Sequence, residues 1–154
     1  MHQRARAFRD RVIEEYEIEP RIEEFPDGTE TAADAAEAIG CEVGAIASSL
    51  VFSAAGDLVV VVTSGANHVD EPRLAVHLGV DTVSMADPAE IEAQIGWAVG
   101  GVPPLCHDAD VPVYLDDTLL EYDTVWAAAG APTAVFPIDP ERLRQVTDAT
   151  TITV

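Results

Sequence analysis

The residues best suited to chemistry in this chain lie in Val99-Gly100-Gly101-Val102-Pro103-Pro104, with Cys106 and His107 close behind. Two glycines and two prolines around one valine exclude regular helix and central strand. Glycine permits positive φ and close backbone approach, while proline fixes φ and removes an N–H. Val102, placed before a proline, is driven to an extended conformation. The product is a stiff loop behind Trp97-Ala98-Val99 whose N–H groups on Gly100, Gly101 and Val102 could face a substrate. A tight turn between two elements is the plainer reading of the same residues.

The other candidates are weaker. Cys106 and His107 are sequence neighbours, and adjacent side chains rarely face each other as nucleophile and base, so Cys106 reads as a buried thiol. His107, with an ordinary pKa near 6.5, suits either a proton carrier or a hydrogen bond that orients the loop. Ser48-Ser49 lacks the Gly-x-Ser-x-Gly elbow of serine hydrolases. His68, His77, Cys106 and His107 show no metal-ligand spacing, so neither a metal nor a cofactor is expected. Gly65-Ala66-Asn67 lacks the lysine and hydroxyl residue of a phosphate loop. Asn67 either caps a helix starting near Asp70 or lines a pocket.

These residues need elements to position them. Phe8, Val12 and Tyr16 recur every four residues and predict a helix over about 2–15. Ile18, Ile22 and Phe25 mark an extended segment interrupted by Pro20. Thr31 to Ile39 reads as a helix closed by Gly40. Ile46–Phe52 and Leu58–Thr63 read as strands joined in a hairpin through 54–57. Asp70-Glu71-Pro72 opens a helix that Gly79 closes, and Asp87-Pro88 opens another that ends at Gly96. Extended segments follow at 80–85, 111–115, 124–129 and 133–136. A short helix starts at Asp139-Pro140, and a closing strand is expected over 147–154. Strands and helices mix, so the fold class is α/β (α+β) on a mixed sheet, in one domain spanning 1–154.

Composition limits the setting. Of 154 residues, 28 are acidic and 8 basic, giving a net charge of −20, yet 48% are hydrophobic, which fits a packed core. All basic residues are arginine; there is no lysine. At 1 M salt the Debye length falls to about 3 Å, so a crowded acidic surface then costs little. The charge reads as halophilic adaptation, with an acidic surface for a basic partner as the alternative. No apolar run is long enough for a membrane span and no secretory leader is evident, so a cytoplasmic protein without a membrane partner is expected. Two cysteines make no disulfide framework.

Several patterns, in order, resemble the YbaK / prolyl-tRNA-synthetase-associated family of aminoacyl-tRNA editing domains. They are Thr31-Ala32-Ala33…Ala36…Ile39-Gly40, Ile46-Ala47-Ser48-Ser49-Leu50-Val51-Phe52 and Ser64-Gly65-Ala66-Asn67-His68-Val69-Asp70. Leu74…Leu78-Gly79, Gly100 to Pro104 with His107, and Asp116…Leu119 complete the set, which covers about 29–146. The resemblance implies a distorted β-barrel with surrounding helices and hydrolysis of the ester joining a wrong, small amino acid to a tRNA 3′ end. It implies a catalytic wall of Gly100, Gly101 and Val102, with Ser48 as a polar contact. It also implies a substrate pocket shared by Phe52, Asn67, Pro103, Pro104, His107 and Asp116. A mischarged aminoacyl-tRNA is then the partner, with an aminoacyl-tRNA synthetase as a second candidate.

One position departs from the family. The lysine of its Ile-x-Lys-Ser-Leu-Val-Phe pattern is Ser48 here, which carries no charge and reaches less far. The chain is therefore a trans-editing deacylase with altered contacts, a non-catalytic module that binds aminoacyl-tRNA or a synthetase, or a domain that retains only the fold. Arg4, Arg6, Arg9 and Arg11, with Arg142 and Arg144, offer either a phosphate strip or ion pairs such as Arg6–Asp10 and Arg11–Glu15.

Overall fold

The computed structural model describes residues 2–25 and 31–154; residues 29 and 30, where the family resemblance begins, lie outside that range. The first helix, α1 (Gln3–Tyr16), buries Ala5, Phe8 and Val12. The extended segment after it contributes only a two-residue strand, β1 (Glu23–Glu24). In α2 (Ala32–Ile39), the Thr31 hydroxyl accepts the Asp34 N–H at 3.0 Å and Gly40 ends the helix. Strands β2 (Ile46–Ala54) and β3 (Asp57–Ser64) pair from Ala54↔Asp57 onward. That leaves Ala55-Gly56, both at positive φ, as a two-residue hairpin turn whose twist suits the strands.

The helices α3 (Glu71–Leu78) and α4 (Pro88–Ile95) flank the short strand β4 (Val83–Met85). Asp70 and Asp87 cap them by accepting the N–H of Arg73 and Ala89. The second half holds β5 (Val113–Asp116), β6 (Val125–Ala128), β7 (Ala134–Ile138), α5 (Pro140–Thr147) and β8 (Thr150–Ile152). The closing strand starts later than the sequence pattern suggests. The Thr147 hydroxyl donates back to Leu143 O at 2.7 Å, so Thr147 still belongs to α5.

The sheet runs β1-β7-β6-β2-β3-β5-β8, with β4 also paired to β2. Parallel pairs (β2–β6, β3–β5, β5–β8) alternate with antiparallel ones, which makes it mixed. It does not close into the expected barrel. Its ends are β1 and β8, two and three residues long, and they pair only with β7 and β5 among the described residues. Such short edges cannot supply the ladder that closure needs. At its centre, β3 is buried on both faces. Val60 and Val62 join the main core with Phe8, Trp97, Leu115 and Phe136, while Val59 and Val61 join a second core under α3.

Candidate functional site

The site begins as an interruption in hydrogen bonding. Along one edge, β2 pairs with β3 throughout. On its other edge it pairs with β6 only at Ile46 and Ala47, and with β4 only at Phe52–Ala54. Between them, residues 48–51 face a gap that no strand fills among the described residues. The Val51 carbonyl points to this edge, where it accepts Ala86 N–H, while the Ile46 carbonyl points to β3's side and accepts Gly65 N–H. Backbone groups alternate along an extended strand, so the N–H and C=O of Ser49 both open toward the gap. The Ser49 hydroxyl is buried without a hydrogen-bond partner.

A cavity of about 250 Å³ occupies the gap. Its floor is the β2 edge. Trp126, Ala128, Pro132 and Ala134 come from β6, β7 and their turn, Met85 and Ile91 from β4 and α4, and Thr31, Ala32 and Ala35 from the start of α2. Val99, Gly100 and Val102 form the remaining wall. No ionisable side chain lines it among the described residues. Among the described residues Gly100 and Val102 donate no backbone hydrogen bond, whereas Gly101 N–H is held by Ala98 O at 3.0 Å. Gly101 is glycine for packing, since a Cβ there would stand 2.9 Å from the backbone of Ala131. The loop therefore offers two donors, on Gly100 and Val102, where the sequence suggested three.

Of the residues singled out from sequence, Ser48, Gly100 and Val102 line this cavity. Gly101, Pro103 and Pro104 support the loop from behind. Phe52 lies in the second core with Leu74 and Val83. Asn67 and Asp116 meet each other, not the cavity. Asp116 is fully buried and accepts from Ser64 N (2.9 Å), Asn67 Nδ2 (3.0 Å) and Thr118 N (3.0 Å). Asn67 thus neither caps α3 nor lines the pocket; it ties the 64–67 turn to the segment after β5. His107 also faces elsewhere. Its Nε2 donates to Pro103 O at 2.8 Å, and it lines a separate 230 Å³ hollow with Tyr16 and Asp110. Burial lowers its pKa, against the opposing hydrogen bond to Pro103. Cys106 is buried, and desolvation pushes its thiol up to about 12.

Sequence reasoning passed over Ser49. Its signal is a polar residue on the strand face that Ala47 and Val51 share with the main core. A second orphan hydroxyl, Thr63, sits directly across from Ser48 in the β2–β3 register. The N-terminal arginines form ion pairs and stacks. Arg11 pairs with Glu15 (2.9 Å) and Asp108 (2.8 Å), and Arg4 donates to Gly96 O; the Arg6–Asp10 pair does not form.

The arrangement sets a largely apolar cavity beside backbone N–H groups. The sequence profile of the aminoacyl-tRNA editing domain matches residues 26–146. The chain belongs to that family. It is 34% identical over 127 residues to the uncharacterized protein YwhH of Bacillus subtilis, covering 80% of this chain and 79% of that one. It is 27% identical over 142 residues to an Enterococcus faecalis protein, EbsC, provisionally named a Cys-tRNA(Pro)/Cys-tRNA(Cys) deacylase, covering 90% and 86%. A crystal structure described as a provisional trans-editing enzyme for prolyl-tRNA synthetase superposes with a TM-score of 0.92 at 35% identity, covering 99% of this chain and 97% of that one. The editing-domain fold is therefore this chain's fold, with its sheet left open. No helix among the described residues is long and apolar enough to cross a membrane.

Proposed function

We propose that this protein is a trans-editing deacylase that hydrolyses the ester of a mischarged tRNA carrying a small amino acid. The observation that carries the reading is the cavity in the β2 gap, free of charged side chains among the described residues, with N–H groups of Ser49, Gly100 and Val102 that meet no acceptor there. Its 250 Å³ lies below the roughly 300–1,000 Å³ typical of drug-sized ligands, which favours the aminoacyl group alone with the terminal nucleoside outside. Water attacks the ester carbonyl carbon, the backbone donors hold the developing oxyanion, and the bond to the ribose oxygen breaks. The proton lost by water ends on that ribose oxygen, carried by the neighbouring ribose hydroxyl, since no acidic or basic side chain lines the cavity among the described residues. Ser48 makes a polar contact at the family's lysine position. Gly101, Pro103 and Pro104 fix the shape of the wall, and Phe52, Asn67, His107 and Asp116 support it from outside the cavity.

The absent lysine favours a second reading, a module that binds aminoacyl-tRNA or a synthetase without turnover. A deacylation assay in molar KCl against a panel of mischarged tRNAs separates the two. Release of a small amino acid above background is the expected result. Saturable tRNA binding with no release from any member would leave only the module. The acidic, lysine-free surface fits a salt-rich cytoplasm, and stability is expected to rise with KCl; full folding in dilute buffer would refute this.

A further inference from the structure

We infer that α1 is a strut that sets the Gly100–Val102 wall against the cavity, with Arg4 and Arg11 as positioning residues. This helix precedes the span that matches the editing-domain profile, and the catalytic reading gives it no role. Two of its four arginines, Arg4 and Arg11, reach across more than 90 residues of sequence to the base of the loop. The Arg4 guanidinium lies 4.3 Å from the Trp97 ring centroid and donates to Gly96 O; that of Arg11 lies 6.0 Å from the same ring and bonds Asp108 Oδ1 at 2.8 Å. Phe8 meets Trp97 edge-on at 6.1 Å.

What α1 grips is the closure of the loop. Trp97 Nε1 donates to Cys106 O at 2.9 Å, and Asp108 N and Ala109 N donate to Ile95 O and Gln94 O, both at 3.0 Å. Residues 98–105 are thereby tied at both ends to the segment that α1 clasps. The adjoining wall is held by the same helix. At Gly130 a Cβ would stand 2.7 Å from the Trp97 ring, 2.8 Å from Arg4 O and 3.1 Å from Phe8 Cβ, so this turn fits between helix and indole only as glycine. The turn continues into Ala131, which touches Gly101, and Pro132, which lines the cavity. Moving α1 would shift both walls together. The Arg11–Asp108 pair is part-exposed, and such pairs add little to global stability, so its effect falls on geometry.

The activity readout rests on the deacylase reading; the exchange readout does not. Arg4→Met combined with Arg11→Gln is expected to lower kcat about tenfold with KM for tRNA unchanged, as small misplacements of a catalytic wall do. Amide hydrogen exchange at Gly101, Asp108 and Ala109, whose N–H groups close the loop, should accelerate about tenfold, with protection across β2 and β3 retained. Asp108→Asn should reproduce the Arg11→Gln effect, and the two together should be no worse than either alone. Unchanged loop exchange in the Arg4/Arg11 variant would overturn the inference. So would exchange rising equally in β2 and β3, which would make the arginines mere supports of the whole fold. If the unmodified protein releases no amino acid, the functional reading fails, and loop exchange still decides the strut.

Discussion

At the end of β5, Asp116 is fully buried and its oxygens are occupied by Ser64 N–H, Asn67 and Thr118 N–H, while the Ser64 hydroxyl donates to Gly44 O at 2.7 Å. On β2, one strand away from Ser64, the Ser49 hydroxyl is equally hidden from solvent and has no partner, and its backbone groups face a gap. Both regions put polar atoms inside the same sheet. The first uses every one to join loops that would otherwise separate. The second leaves donors and an acceptor available, a state that costs stability and is sustained where a ligand completes it. On the proposed function, the buried carboxylate belongs to the scaffold and the unsatisfied serine to the site.

That contrast can be broken by substitution, with the largest effect at the satisfied network. Asp116→Ala leaves the buried Ser64 N–H and the part-buried Thr118 N–H without an acceptor, and Asn67 with Thr118 Oγ1 alone; at about 1–3 kcal/mol for each lost acceptor, a fall of roughly 10 °C in Tm is expected by calorimetry. A folded variant of near-normal Tm would show that the network is dispensable. Gly101→Ala forces a Cβ into the Ala131 backbone and should cost about 10²-fold in deacylation, out of proportion to its loss of stability. Equal losses would return the loop to a simple turn. Ser49→Ala removes the orphan hydroxyl, so kcat/KM should fall about tenfold with Tm unchanged or raised. Ser49→Ala with normal activity would remove that hydroxyl from the site.

How far the sequence could be read follows the same division. Features set by local chemistry were legible: the aspartate and threonine caps of α2, α3, α4 and α5, the Ala55-Gly56 turn, and the glycine-proline loop, because each depends on residues within a few positions. The open sheet was not, since closure depends on how long the end strands β1 and β8 become, which long-range packing decides. Phe52, Asn67 and Asp116 fit the family's ordered pattern, but order along the chain does not say which sheet face or sheet end a side chain occupies. Ser49 was hidden for a different reason. Its importance lies in strands that fail to reach it, and a missing neighbour leaves no trace in local sequence.

The remaining predictions sharpen the boundary between site and support at His107 and Cys106, which follow the loop but face away from its cavity. His107 has its pKa lowered from the ordinary 6.5 by burial, with the nearby Arg11 charge also lowering it while Pro103 and Asp108 oppose. With the folded pKa below the unfolded one, the unfolded state binds more protons in between. Stability should therefore fall as pH drops below about 6.5, until the folded pKa is passed. The check is an NMR titration of His107 beside Tm against pH; a folded pKa at or above 6.5 would contradict it.

Cys106 should show the smallest effect of all. Desolvation raises its thiol from 9.0 to about 12, helped by Glu15 and opposed by Arg11. Three units reduce the thiolate fraction at pH 8 by about 10³, and the thiolate is the reactive form. Iodoacetamide should therefore modify the half-buried Cys41 well before Cys106, as read by mass spectrometry of the native protein. Cys106→Ala should keep deacylation within about twofold, because a group outside the cavity that is neutral at working pH can neither attack the ester nor relay its proton. Rapid alkylation of Cys106 together with loss of activity would put a nucleophile behind the loop. The division between a satisfied scaffold and an unsatisfied gap would then no longer locate the chemistry.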